Sequence, residues 1–168
     1  AKNVALAGVR SLTIWDRAPV SAADLSAQFF LTERHIGKPR DISSLPSIAA
    51  LNEYVPVRVV EGEDLATVEQ VLTVPVLSQF QVVVLTDATV ETRLLAGRVA
   101  RQANCALILA NVRGLFAAVF CDFGPSFVVT DVTGEPPLTG LIASISEDGT
   151  VTCSDESRHG LEDDDEVV

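Results

Sequence analysis

Four short apolar runs, "VRSLTIW" (9–15), "VPVRVV" (55–60), "FQVVVLT" (80–86) and "CALILA" (105–110), recur along the chain with helix-type spacing between them. Strands that alternate with helices at short intervals favour a parallel sheet flanked by helices, because each crossover must return the chain to the same end of the sheet. The continuous run at 80–86 predicts a strand covered on both faces. Ala1 to Ala7 reads as the end of a helix stopped by Gly8. Ser21, three residues ahead of Asp24, gives a capping-box signal for a short helix. Pro39 suits the first turn of another, whose apolar face is read as Ile42, Leu45, Ala49 and Leu51. "DLATVEQVL" is helical by the spacing of Leu65, Val68 and Leu72, and Thr89 to Asn104 forms a further helix.

From Leu115 the rhythm changes. "LFAAVFCDF", "SFVVTDV", "LTGLIASI" and "TVTC" follow one another without a helical segment, separated by the turn signals "GP", "TGEPP" and "SEDG". These runs predict antiparallel strands. The expected fold class is therefore α/β, a Rossmann-like and mostly parallel sheet with flanking helices, followed by an antiparallel β segment. We place a boundary near Asp131, giving domains 1–130 and 131–168.

Charge divides the chain in the same region. The formal net charge is −11, and residues 144–168 hold nine acids against the single base Arg158. An acidic surface repels a phosphate backbone, so no nucleic acid partner is expected. The run "EDDDE" (162–166) reads as a solvated segment. The most apolar long window, "CALILANVRGLFAAVFC", is broken by Asn111, Arg113 and Gly114, so no membrane span is expected either. Cys105, Cys121 and Cys153 lack the close spacing of a zinc or redox pair. Cys105 and Cys121 sit in apolar runs and are expected to be buried free thiols, which fits a reducing compartment. Cys153 stands six residues before His159, a spacing too weak to assign a nucleophile pair.

In a nucleotide-binding βαβ unit a first strand leads through a glycine turn into a helix, and the second strand ends in an acid that bonds the ribose. Here the helix end, the second strand and the acid Asp16 are present. The expectation is that a first strand and glycine turn lie upstream of Ala1, that the chain is a fragment, and that it binds nucleotides poorly and is unstable or self-associating alone. A turn-forming or capping role for Asp16 is the competing reading. His35, without a second ligand nearby, reads as a surface or capping residue.

"AKNVALAGVRSLTIWD", "DLSAQFFLTERHIGKPR", "LNEYVPV", "FQVVVLT", "RGLFAAVFCDFG" and "GTVTCSDESRHGLEDDD" resemble, in order and spacing, the amino-terminal half of the ubiquitin-activating enzyme family, within the wider ThiF and MoeB-like superfamily. The smaller subunit of the SUMO-activating enzyme is similar over the first part only. The resemblance implies two related adenylation domains, one active and one inactive, with residues 1–130 similar to the inactive one. Residues from 131 onward resemble the start of the first catalytic-cysteine half-domain, and the thioester-forming cysteine lies in a region absent here.

The resemblance also implies loss of catalysis in this half. Active members carry Asn-Arg-Gln-Phe where this chain has Ser26, Ala27, Gln28 and Phe29, and a metal-binding Asp where it has Ala88. Asp16 matches the ribose acid, while Lys38 and Arg40 fall near the phosphate-binding lysines. All three are expected to be vestigial or structural, with no catalytic residue and no metal site. Gln28, Phe29 and Phe30 read either as ordinary core or as part of the interface with the active adenylation half. No cofactor is expected for this chain, whereas the whole enzyme would use ATP and magnesium to adenylate the ubiquitin carboxyl terminus and form a thioester, in the cytoplasm and nucleus. A self-sufficient MoeB/ThiF-type adenylyltransferase is the alternative, opposed by Ala27 and Ala88. A dinucleotide-dependent oxidoreductase is a third reading, for which no hydride chemistry is visible.

Overall fold

The computed structural model describes residues 1–62, 65–131, 134, 140–154 and 160. The chain divides into two compact units, Ala1–Phe127 and Val128–Val168.

The first unit carries two sheets. Strands β1 (Leu12–Ile14) and β2 (Val57–Val59) pair in parallel, Leu12 opposite Val57 and Ile14 opposite Val59. Strands β3 (Val82–Thr86), β4 (Ala106–Arg113) and β5 (Phe116–Asp122) form the second sheet in that order. β3 and β4 run parallel, and β4 and β5 are antiparallel. The parallel pairs followed by an antiparallel turn-back are what the sequence pattern predicts.

Helix α5 (Val90–Gln102) shows how the sequence sets the main core. Thr89 caps it by accepting the Thr92 amide at 3.3 Å, Glu91 lies in the first turn and Arg101 in the last, each matching the helix dipole. Its buried residues Ala96, Val99 and Ala100 stand at i, i+3 and i+4, so one stripe faces the sheet. They pack with Leu72, Leu77 and Leu107, of which Leu77 and Leu107 are each 2% exposed. Burying a leucine this fully contributes about 1.5–3 kcal/mol.

β3 departs from its expected double burial. Val83 and Leu85 pack on this core, while Val82 and Val84 on the other face are 48% and 52% exposed. Cys121 on β5 lies opposite Ile108 on β4 and is exposed, whereas Cys105 is buried as expected. Cys105 sits just past the end of α5, its amide donating to the Ala100 carbonyl at 2.9 Å, whereas no residue of β5 belongs to the core cluster that α5 covers.

Helix α1 (Lys2–Leu6) buries Ala5, and Gly8 follows its end at φ +76°, a conformation that glycine adopts without strain. Helix α2 (Arg40–Ala49) starts directly after Pro39. Its buried face is rotated from the expected one: Asp41, Ser44 and Ile48 are buried and Ile42 is 49% exposed. The helical spacing is present but its buried members are partly polar: hydrogen bonds offset the burial of Asp41 and Ser44, while the hydroxyl of Ser43, also buried, has no partner among the described residues. The Ser21–Phe30 segment forms only a 3₁₀ turn, Asp24–Ser26. The Leu65–Leu72 signal yields a single one-turn helix, α3 (Val68–Val71), and a second, α4 (Val74–Leu77), follows beyond it. Pro75 has no amide hydrogen with which to continue α3, and so α4 begins afresh.

The second unit contains a hairpin of β6 (Ile142–Ile145) and β7 (Val151–Cys153). Asp148 closes its turn by accepting the Thr150 amide at 3.2 Å, and Gly149 sits at φ +86°. "SFVVTDV" is not a strand over its described residues 126–131. The "TGEPP" turn, His159 and "EDDDE" fall largely or wholly outside the described residues.

Candidate functional site

The chain leaves β1 through Trp15 and Asp16, at the carboxyl end of the parallel pair where open α/β sheets place their ligands. Two pieces of backbone fix this corner. The Val20 amide donates to the Lys38 carbonyl at 2.8 Å, the Gly37 amide to the Val20 carbonyl at 2.9 Å, and the Arg40 amide to the Ala18 carbonyl at 3.0 Å. Residues 18–20 and 37–40 are thereby held side by side, with 21–36 as the excursion between them.

Side chains complete the corner. The Arg40 guanidinium grips Asp16 with both arms of its fork, Nε to Oδ2 at 2.9 Å and Nη2 to Oδ1 at 3.2 Å. Its Nη1 reaches Asp24 Oδ1 at 2.9 Å. Asp24 Oδ2 in turn accepts the Ser21 amide at 2.7 Å and the Ser21 hydroxyl at 2.8 Å. These Ser21 hydrogen bonds, and then Arg40, hold the Asp24 carboxyl below the usual carboxylate range. The Asp16 carboxylate raises the Arg40 guanidinium above its ordinary value. Asp41, 2% exposed, accepts the Asp16 amide at 3.2 Å and the Ile42 amide at 2.7 Å, and pairs with Arg17 at 3.5 Å. Arg17 also donates to the Val60 carbonyl at 2.7 Å, tying the corner to the end of β2.

The structure thus joins Asp16 and Arg40 directly. Lys38 is exposed and contributes its carbonyl to the loop bridge. Asp24, Asp41 and Arg17 were not singled out from sequence as members of this site. Hydropathy carries no signal for Asp41, because its stripe with Ser44 and Ile48 is mostly polar and shows as buried only in the structure. Asp24 was read only as a cap partner of Ser21, a role it does fill. An open groove of about 440 Å³, walled by Arg17, Pro39, Val60 and Leu65 among others, lies beside this corner, but neither Asp16 nor Arg40 lines it.

ATP and magnesium, the groups that the family resemblance implies, do not fit these residues. Both Asp16 oxygens are already engaged, and Oδ1 also accepts the Ala18 amide at 3.2 Å. Three carboxylates outnumber two guanidinium groups here, a poor setting for phosphate. Ala27 offers no cation, and Ala88 offers only a carbonyl, which accepts Arg93 Nε at 2.8 Å. The neighbouring carboxylate, Asp87, is paired with Arg113.

Of the three candidate interface residues, Gln28 and Phe30 are half-buried and Phe29 is 69% exposed. The Phe29 and Phe30 rings sit 4.2 Å apart by centroid, and Lys2 Nζ lies 5.5 Å from the Phe29 ring centre. His35 caps its own turn, its Nδ1 accepting the Thr32 amide at 3.0 Å.

The ThiF family model matches residues 1–145. The chain belongs to the ThiF family. The Ubiquitin-activating enzyme E1 1 of Candida albicans is 45% identical over 167 residues, which cover 99% of this ThiF-family chain and 16% of that protein. The human Ubiquitin-like modifier-activating enzyme 1 is 43% identical over 169 residues, 99% of this chain and 15% of that protein. The chain therefore spans less than a fifth of the length of these relatives. Among solved structures, PaaA superposes with a TM-score of 0.53 at 14% identity, over 70% of this chain and 37% of that one. E. coli MccB, crystallised with ATP, superposes with a TM-score of 0.52 at 14% identity, over 64% of this chain and 31% of that one. Identities this low establish the shared α/β fold alone.

Proposed function

We propose that this ThiF-family chain is the inactive adenylation half of a ubiquitin-activating enzyme, with residues from 131 onward forming the start of the first catalytic-cysteine half-domain. In this reading its work is structural. It packs against the active adenylation half and presents the inserted domain, while the whole enzyme, in cytoplasm and nucleus, uses ATP and magnesium to adenylate ubiquitin. The observation that carries the reading is the engagement of both Asp16 oxygens by Arg40, alongside alanines at positions 27 and 88. A methyl group cannot stabilise a phosphoryl oxygen, and without a carboxylate at position 88 a magnesium ion has no anchor there. The sequence identity supports placement in the ubiquitin-activating enzymes over a self-sufficient adenylyltransferase. Exposed Phe29 suits the packing role, since an aromatic buries much area at little entropy cost.

The test is ATP–pyrophosphate exchange by the chain, with and without ubiquitin. No exchange above background is expected. Exchange that rises with ubiquitin and disappears on Asp16→Asn would revive the self-sufficient adenylyltransferase.

A further inference from the structure

An acid at the end of the second strand of this fold class serves a ribose through its carboxylate oxygens. In this chain those oxygens have an internal ligand. Arg40 occupies both with a forked pair of N–H groups, the geometry in which a guanidinium binds a carboxylate best. Its position is set by the chain, because Pro39 precedes it, its own amide is tied to Ala18, and α2 starts at it. A nucleotide would have to displace a group that is already tethered and loses little freedom by staying, so the competition is uneven.

Arg40 also reaches outward. The N–H that it does not spend on Asp16 holds Asp24, and Asp24 holds Ser21 at the start of the 21–36 excursion. One guanidinium therefore connects the strand end, the first residue of α2 and the loop that carries Phe29. Asp41 supports the same corner from beneath by fixing the Asp16 amide and Arg17.

We propose that Arg40 is a positioning residue: an internal ligand that keeps the acid site closed and latches the 21–36 loop, so that Phe29 is held in one orientation. This rests on the scaffold reading, in which the loop faces a partner domain. The latch replaces a nucleotide as the element that orders this corner. Lysine cannot replace arginine in it, because a single ammonium group does not fork across Asp16 and also span to Asp24.

The experiment is amide hydrogen exchange on the 168-residue chain, comparing the unmutated protein with Arg40→Gln, Arg40→Lys and Asp24→Asn, each with and without ATP and magnesium. Arg40→Gln is expected to speed exchange about tenfold at Val20, Gly37 and the loop amides of Gln28 and Leu31, as loss of one forked pair and one single pair implies. Amides of α5 and β4 should keep their rates. Arg40→Lys should not restore the loop. Asp24→Asn, which leaves the grip on Asp16 intact, should loosen the loop while sparing Asp16 and Ala18, and so serves if the Arg40 variants fold poorly. Nucleotide should protect none of these amides in the unmutated chain.

Unchanged loop exchange in both Arg40→Gln and Asp24→Asn would overturn the latch and leave the scaffold reading standing. Nucleotide protection at Asp16 and Ala18 in the unmutated chain would overturn the closed site. Pyrophosphate exchange activity would overturn the scaffold reading whatever the loop rates show.

Discussion

Replacing Leu107 by alanine tests whether the β3–β5 sheet is covered on one face only. Leu107 is 2% exposed on the face of β4 that meets α5, among Leu72, Leu77, Ala96, Val99 and Ala100. Truncation removes three carbons from a site whose neighbours come from α3 through β4, so collapse is limited and the cost is about 3 kcal/mol. With a urea m-value of about 1.5 kcal/mol/M, the unfolding midpoint falls by about 2 M. Val84→Ala on the opposite face of β3, where the side chain is 52% exposed, should cost no more than about 0.5 kcal/mol. Urea titrations followed by far-UV circular dichroism measure both. Equal losses at positions 107 and 84 would refute the one-sided sheet, and a loss under about 1 kcal/mol at 107 would refute the placement of the core.

The remaining predictions concern single groups. Asp41→Ala leaves Arg17 and the Asp16 amide without their acceptor in a buried setting and should cost about 2–4 kcal/mol, read from the same urea curves, whereas Asp148→Ala in the exposed hairpin turn should cost far less. The Gly124 amide and then Arg101 hold the Asp122 carboxyl below its ordinary value. Its contribution is therefore full above the ordinary carboxylate range near pH 4 and is lost as pH falls through the lower folded value. Asp122→Asn should flatten that acid limb in a pH series of melting temperatures, and an unchanged limb would dismiss the pair as a stabiliser. Burial pushes the Cys105 thiol up, and Cys121 is exposed. Iodoacetamide followed by peptide mapping should modify Cys121 well before Cys105.

What the sequence disclosed depended on which force acted at each place. α5 was legible because its cap, its dipole-matched ends and its apolar stripe agree, and such agreement is rare outside a true helix. The parallel strands were legible from their apolar runs and spacing, and the turn-back at β5 from the loss of helical segments after Leu115. Hydropathy points to the wrong face of α2 because Asp41 and Ser44 hold buried positions through hydrogen bonds, which it does not register. β3 lacks the double cover expected of it, and an unbroken apolar run looks the same whether one face or two is packed. Asp16 and Arg40 each stand out in the sequence, but their union does not, since a strand end and a helix start 24 residues apart share no periodicity. The spacing of Ser21 and Asp24 predicts a helix cap. They do cap one another, yet the turn they close is 3₁₀, and the Arg40 bond that it supports lies across the loop.

With Arg40 on both Asp16 oxygens, this adenylation-type fold is proposed to have lost its nucleotide. Isothermal titration of the chain with ATP and magnesium, beside Asp16→Asn, tests it most directly. Neither protein should give saturable heat. Saturable binding by the unmutated chain that Asp16→Asn abolishes would show that Asp16 is still a working ribose acid and that the nucleotide site survives.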